Sequence, residues 1–144
     1  MGEPVLTATP LTRGRVTGEV LRAEVPLSFW GGVGADGVVV DAHHPLFGRS
    51  LVGKVVVMVS GRGSSSSSSV LAELLRTGRG PSAIVLARTD PIIALGAIVA
   101  DELYGLATPV VVVSEADLTL VTGSVTVTSD PDAGTATITF VTRG

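Results

Sequence analysis

The chain has 144 residues, of which 45% are hydrophobic, 16% charged and only 3% aromatic. This is enough Val, Ala, Leu and Ile for a buried core and too little charge for intrinsic disorder, and the length suits a single domain over residues 1–144. Ten Lys and Arg against thirteen Asp and Glu give a net charge of −3 with no basic block, which argues against a nucleic-acid partner. The absence of cysteine excludes disulfides, zinc–thiolate sites, cysteine nucleophiles and cluster ligation by these residues. The longest nearly unbroken apolar stretch, Ile92 to Ala100, is about half a membrane span, so no membrane partner is expected. The opening MGEPVLTATPLTRG carries neither a charged n-region nor an apolar h-region, and a cytoplasmic chain is expected.

In chain order, Gly14 to Glu24 alternates enough to predict a half-buried strand. Pro26 to Gly32 is a loop holding Phe29 and the sole Trp, Trp30, followed by two glycines. Val38 to Asp41 reads as a short strand, and His43 to Gly48 as a loop with turn chemistry. Lys54 to Ser60 is a continuous β-branched run, as in a strand covered on both faces. Val70 to Arg76 has helical spacing and stops at Gly78. Ser82 to Ala87 reads as a second buried strand. Asp90-Pro91 starts a helix over Ile92 to Tyr104 that Gly105 closes. Pro109 to Val113 is a third buried strand, and Ser114 caps a short helix with early acids. Strict alternation in Ser124–Thr128 and Thr135–Phe140 predicts a hairpin with one wet face. The expected fold is α/β: a parallel βαβ core with antiparallel flanking strands.

Ser60-Gly-Arg-Gly followed by six serines is the conspicuous candidate site. A strand ends at Ser60 and a helix begins within the run, so this is a strand-to-helix turn whose glycines and free amides suit a phosphate, carboxylate or oxyanion. It is neither a Walker loop nor a dinucleotide fingerprint. A serine beside helix amides could be stabilised as an alkoxide. His43 and His44, adjacent in an extended chain, point to opposite sides, which suits turn capping and solvation better than one shared metal. No metal site is expected. Phe29 and Trp30 are read as core or interface anchors. Glu73, Asp101 and Glu102 read as solvated helix faces.

Four ordered motifs, Pro26-Leu-Ser-Phe-Trp-Gly-Gly32, Asp41-Ala-His-His-Pro-Leu-Phe-Gly-Arg-Ser50, Ser60-Gly-Arg-Gly-Ser-Ser-Ser66 and Asp90-Pro-Ile-Ile-Ala-Leu-Gly-Ala-Ile-Val-Ala100, together resemble the small subunit, or swivel domain, of the aconitase X family. The resemblance covers roughly Pro26 to Val113 and implies a swivelling β/β/α domain. It further implies a hydro-lyase (dehydratase) whose cysteine-bearing large subunit holds an iron–sulfur cluster, while this chain binds no cofactor itself. The superfamily's G-x-G-S-S-R turn, carried over, makes Ser64 the catalytic base. Arg62, Gly63, Ser65 and Ser66 then bind the small carboxylate substrate, with Ser66 standing where that turn has Arg. Phe29 and Trp30 are expected at the large-subunit interface. The substrates implied are cis-3-hydroxy-L-proline, which is favoured because only Arg62 is basic near the turn, and mevalonate 5-phosphate. Alternatives outside this class are a phosphohistidine-type swivel module and an anion-binding module without catalysis.

Overall fold

The computed structural model describes residues 5–142, and its seven strands close into one barrel. The strands are β1 (Val5–Thr12), β2 (Gly14–Arg22), β3 (Val55–Met58), β4 (Ala83–Leu86), β5 (Val110–Val112), β6 (Ser124–Asp130) and β7 (Thr135–Phe140), in the spatial order β1-β5-β4-β3-β2-β6-β7. From β2 to β5 neighbours run parallel, with Val20 beside Val55, Val55 beside Ala83 and Ile84 beside Val110. The β6–β7 hairpin pairs antiparallel with β2 on one side and β1 on the other, and β1 closes the ring against β5. The sequence reading separated a core from its flanks. The flanking strands instead complete the wall of one barrel, because the hairpin bonds to both β1 and β2.

Helices α1 (Phe29–Gly32), α2 (Ser66–Arg76), α3 (Pro91–Tyr104) and α4 (Glu115–Leu118) lie in the connections. Alternate residues of the parallel strands serve two cores. Val55, Val57, Val85 and Val111 join Val125, Val127 and Ile138 of the hairpin in one cluster, while Val56, Met58, Ile84 and Leu86 join Leu71, Leu74, Ile93 and Ala97 of α2 and α3 in another. Both faces of β3 and β4 are therefore dry, which is the physical cause of their unbroken apolar sequence.

Several boundaries differ from the sequence reading. β1 carries no strong signal because Thr and Pro interrupt it; Pro10 sits beside an irregularity in the β1–β5 register, where a missing N–H is tolerated. Val38–Asp41 forms no strand. Isolated bridges, Val33 to Val39 and Val38 to Ser50, stitch that loop where Gly37 at φ +81 breaks extended pairing. Helix α2 starts at Ser66, within the serine run as expected; its apolar spacing becomes visible only from Val70, since serines carry no apolar periodicity.

Candidate functional site

The carboxyl ends of β3 and β4 open into two neighbouring strand-to-helix turns, the usual place for ligands in parallel sheets. Both glycines of the first turn are sterically required. A Cβ on Gly61 would lie 2.6 Å from Ile93 Cδ1 and 2.8 Å from Asp90 Oδ2, and one on Gly63 (φ +111) would lie 2.6 Å from Ser28 Oγ. Asp90 ties the two turns together. Its Oδ1 accepts from the N–H groups of Ile92 and Ile93 at 3.0 and 3.1 Å, capping α3, and its Oδ2 accepts from Gly61 N–H at 3.0 Å.

The six serines, identical in sequence, are separated by helical geometry. Ser64 occupies the functional cap: its Oγ accepts from Ser66 N–H at 3.3 Å and its carbonyl from Ser67 N–H at 3.0 Å. Ser65 already has helical angles and its side chain makes no capping bond. Ser65, Ser66 and Ser69 are exposed. Ser67 is buried and its Oγ accepts from Trp30 N–H at 3.2 Å; Ser68 is buried and donates to the Ile92 carbonyl at 2.6 Å. The run thus fastens α2 to the α1 loop and to α3, and leaves Ser64 at the open end.

Ser64 lines a cavity of about 100 Å³ together with Arg62, Gly63, Ser67, Asp90 and Phe29. A wider hollow of about 270 Å³ adjoins it, shares Arg62 and Gly63, and is walled by Trp30 and Asp41. The Arg62 backbone donates to the Leu27 carbonyl at 2.9 Å, while its exposed guanidinium has no partner among the described residues. Ser65 and Ser66 line neither space. Sequence reasoning missed Ser28, Ser67 and the link from Asp90 to Gly61; only Asp90-Pro91 carried a signal, and it pointed to the cap alone.

The aromatic pair is split. Phe29 is 1% exposed and belongs to the core under α2, which corrects the expectation that its side chain meets a partner, whereas Trp30 is 59% exposed. The histidines also divide. His43 is exposed. His44 is buried, with Nδ1 accepting from Leu46 N–H at 3.0 Å and Nε2 paired with the Val25 carbonyl at 2.8 Å. Because Nδ1 accepts, Nε2 carries the proton and donates it. The resolved titration shifts lie away from the cavity: Arg76 hydrogen-bonds Glu73 and lowers its carboxyl, and Asp101 raises Arg13. The residues do not fit an iron–sulfur cluster, since the sequence has no cysteine and no group of three His, Asp or Glu converges among the described residues.

The fold and this turn define a mixed α/β domain in which a helix-capping serine and Arg62 line one cavity beside a helix N-terminus. The sequence profile of the aconitase X swivel domain matches residues 5–138, and the chain belongs to that family. It is 50% identical over 106 residues to a cis-3-hydroxy-L-proline dehydratase of Pseudomonas aeruginosa, covering 73% of this chain but 18% of the relative. It is 44% identical over 91 residues to the phosphomevalonate dehydratase small subunit of Methanothermobacter thermautotrophicus, covering 62% of this chain and 70% of that subunit. The crystal structure of holo-form Thermococcus kodakaraensis aconitase X superposes with a TM-score of 0.80 at 31% identity, covering 96% of this chain and 99% of that one. The chain therefore spans under a fifth of the hydroxyproline dehydratases it matches and most of the phosphomevalonate small subunit. No helix among the described residues is long and apolar enough to cross a membrane.

Proposed function

We propose that this chain is the swivel part of a cytoplasmic aconitase X-type dehydratase, active only with a cysteine-bearing large subunit, and that Ser64 is its proton-abstracting base. The observation that carries the reading is the position of Ser64: it lines the cavity with Arg62 at the N-terminal end of an 11-residue helix, and its Oγ accepts from Ser66 N–H. Helix amides and dipole stabilise an alkoxide there. The alkoxide takes the proton from the carbon beside the substrate carboxylate, the C–H electrons become the new C=C bond, and the hydroxyl on the next carbon leaves as hydroxide, which takes the proton back from Ser64 to become water and restores the alkoxide. An iron–sulfur cluster, carried by the large subunit, supplies Lewis-acid chemistry when bound. Ser64 is exposed, so the domain closes on its partner to exclude water from the base.

The substrate favoured is cis-3-hydroxy-L-proline, on the 50% identity to an enzyme of that name. Mevalonate 5-phosphate is the second reading, favoured by the separate small subunit that this chain covers over 70% of its length. A phosphohistidine role finds no support in His44, whose two ring nitrogens are both engaged. The test is turnover of both substrates by this chain with and without a large subunit. Dehydration of hydroxyproline by the pair and none by the 144 residues alone is expected; turnover by this chain alone overturns the two-part reading.

A further inference from the structure

We propose that the hollow between Trp30, Asp41 and Arg62 is a subsite for the ammonium end of a zwitterionic cyclic amino acid, and that it sets the substrate class of the Ser64 site. The proposal rests on the dehydratase reading above and deepens it. The hollow shares Arg62 and Gly63 with the Ser64 cavity, so one ligand can occupy both. Two residues of opposite charge line it: Arg62, whose guanidinium is unpartnered among the described residues, and Asp41, whose carboxylate spends one oxygen, Oδ1, on His43 N–H at 2.9 Å. A ligand with a carboxylate next to a secondary ammonium matches that pair, carboxylate to Arg62 and ammonium to Asp41. A phosphomonoester with a carboxylate is negative at both ends and meets repulsion at Asp41.

Trp30 adds the third element. Trp30, the only Trp of the chain, is 59% exposed, yet its backbone is held at both groups. Trp30 N–H donates to Ser67 Oγ at 3.2 Å, its carbonyl accepts from Ser28 Oγ at 2.7 Å, and Gly31 at φ +82 turns the chain directly after it. A fixed, open aromatic beside a carboxylate is a built cradle for a cation. The buried Ser67 thereby links the two spaces, lining the Ser64 cavity and bonding the backbone of Trp30, which lines the hollow.

The test uses the complex with the large subunit. It reads kcat and KM for cis-3-hydroxy-L-proline, and calorimetric binding of L-proline and of tetrahydrofuran-2-carboxylate, in which oxygen replaces the ring nitrogen. Asn at position 41 keeps the acceptor for His43 N–H, so Asp41→Asn leaves the loop intact. Asp41→Asn is expected to raise KM and weaken L-proline by about tenfold, the scale of one charge-assisted hydrogen bond, while kcat and tetrahydrofuran-2-carboxylate binding stay within about twofold. Trp30→Leu is expected to raise KM about fivefold without loosening the complex. Normal turnover with an unchanged KM in Asp41→Asn overturns the subsite, as does equal weakening of both ring ligands. Weakened subunit association in Trp30→Leu, with KM unchanged when the large subunit is in excess, reassigns Trp30 to the interface and removes it from the subsite. A wild-type complex that binds L-proline through Asp41 but does not dehydrate hydroxyproline overturns the dehydratase reading and leaves the subsite standing. A complex that ignores L-proline and turns over mevalonate 5-phosphate overturns the subsite alone.

Discussion

Two serine-capped helices follow parallel strands at the same edge of the barrel, and they differ in what their N-termini face. After β5, only residues 113–114 intervene before α4; Ser114 Oγ accepts from Asp117 N–H at 3.1 Å, and Glu115 and Asp117 place two carboxylates in the first turn. After β3, residues 59–65 intervene before α2, whose first turn has no acid at all. The cap chemistry is the same. What differs is that α4 neutralises the positive end of its own dipole, whereas α2 presents that end, through two glycines, to a cavity. On the proposed reading, the substrate carboxylate meets a helix start whose own first turn carries no acid.

The largest effect expected from breaking this contrast is on chemistry. Ser64→Ala, assayed in the complex, is expected to lower kcat by about a hundredfold or more, the scale of a lost acid–base group. Ser65→Ala is expected to stay near wild type, because Ser65 neither caps the helix nor lines the cavity. If Ser65→Ala is dead and Ser64→Ala active, the base is one residue later; if both are active, no serine is the base.

Next is the shape of the turn. Gly61→Ala forces a methyl group against Ile93 and Asp90 and is expected to cost about 2 kcal/mol in denaturant unfolding. The contacts belong to a neighbouring helix start, so the loss falls on the joint between the two turns rather than on α2. An unchanged unfolding midpoint would show that the turn yields and that the glycine serves no packing need.

These contrasts also explain what was legible in the sequence. β3, β4 and α3 were readable because their signals are local: unbroken Val runs, and an Asp-Pro start with a Gly stop. Barrel closure was not, because it depends on β1 and β7 meeting across the whole chain, as Val5 meets Thr139. Ser64 was singled out through the family turn, but one serine in a run of six has no local mark. Only the phase of α2 makes Ser64 a cap, Ser67 a bond to Trp30 and Ser68 a bond to Ile92. Phe29 and Trp30 were read together since composition treats adjacent aromatics alike; the turn at Gly31 is accompanied by one buried and one exposed ring.

A smaller effect follows from making the start of α2 resemble that of α4. Ser66→Asp puts a carboxylate in its exposed first turn, which favours the helix by about 0.5 kcal/mol while opposing an anion in the cavity. The expected result is a slightly higher melting temperature with KM raised about tenfold and little change in kcat, since the added charge acts on substrate and dipole alike. A KM that does not move would show that substrate carboxylate binding is remote from this helix end.

The smallest change in activity is expected at the reference helix. Ser114→Ala removes the bond to Asp117 N–H and leaves Glu115 and Asp117 in place, so α4 keeps its charge compensation and loses only a cap. Caps of this kind contribute about 1 kcal/mol, which for a chain of this length lowers the melting temperature by about 3 °C. Its kcat and KM in the complex are expected to match wild type, because Ser114 lines neither the Ser64 cavity nor the adjoining hollow. The pair of measurements separates cap from chemistry: Ser64→Ala and Ser114→Ala forfeit similar stability, and only the first forfeits turnover. If Ser114→Ala costs activity in proportion to stability, the loss in Ser64→Ala is a folding effect, and the uncompensated helix start has no special chemistry.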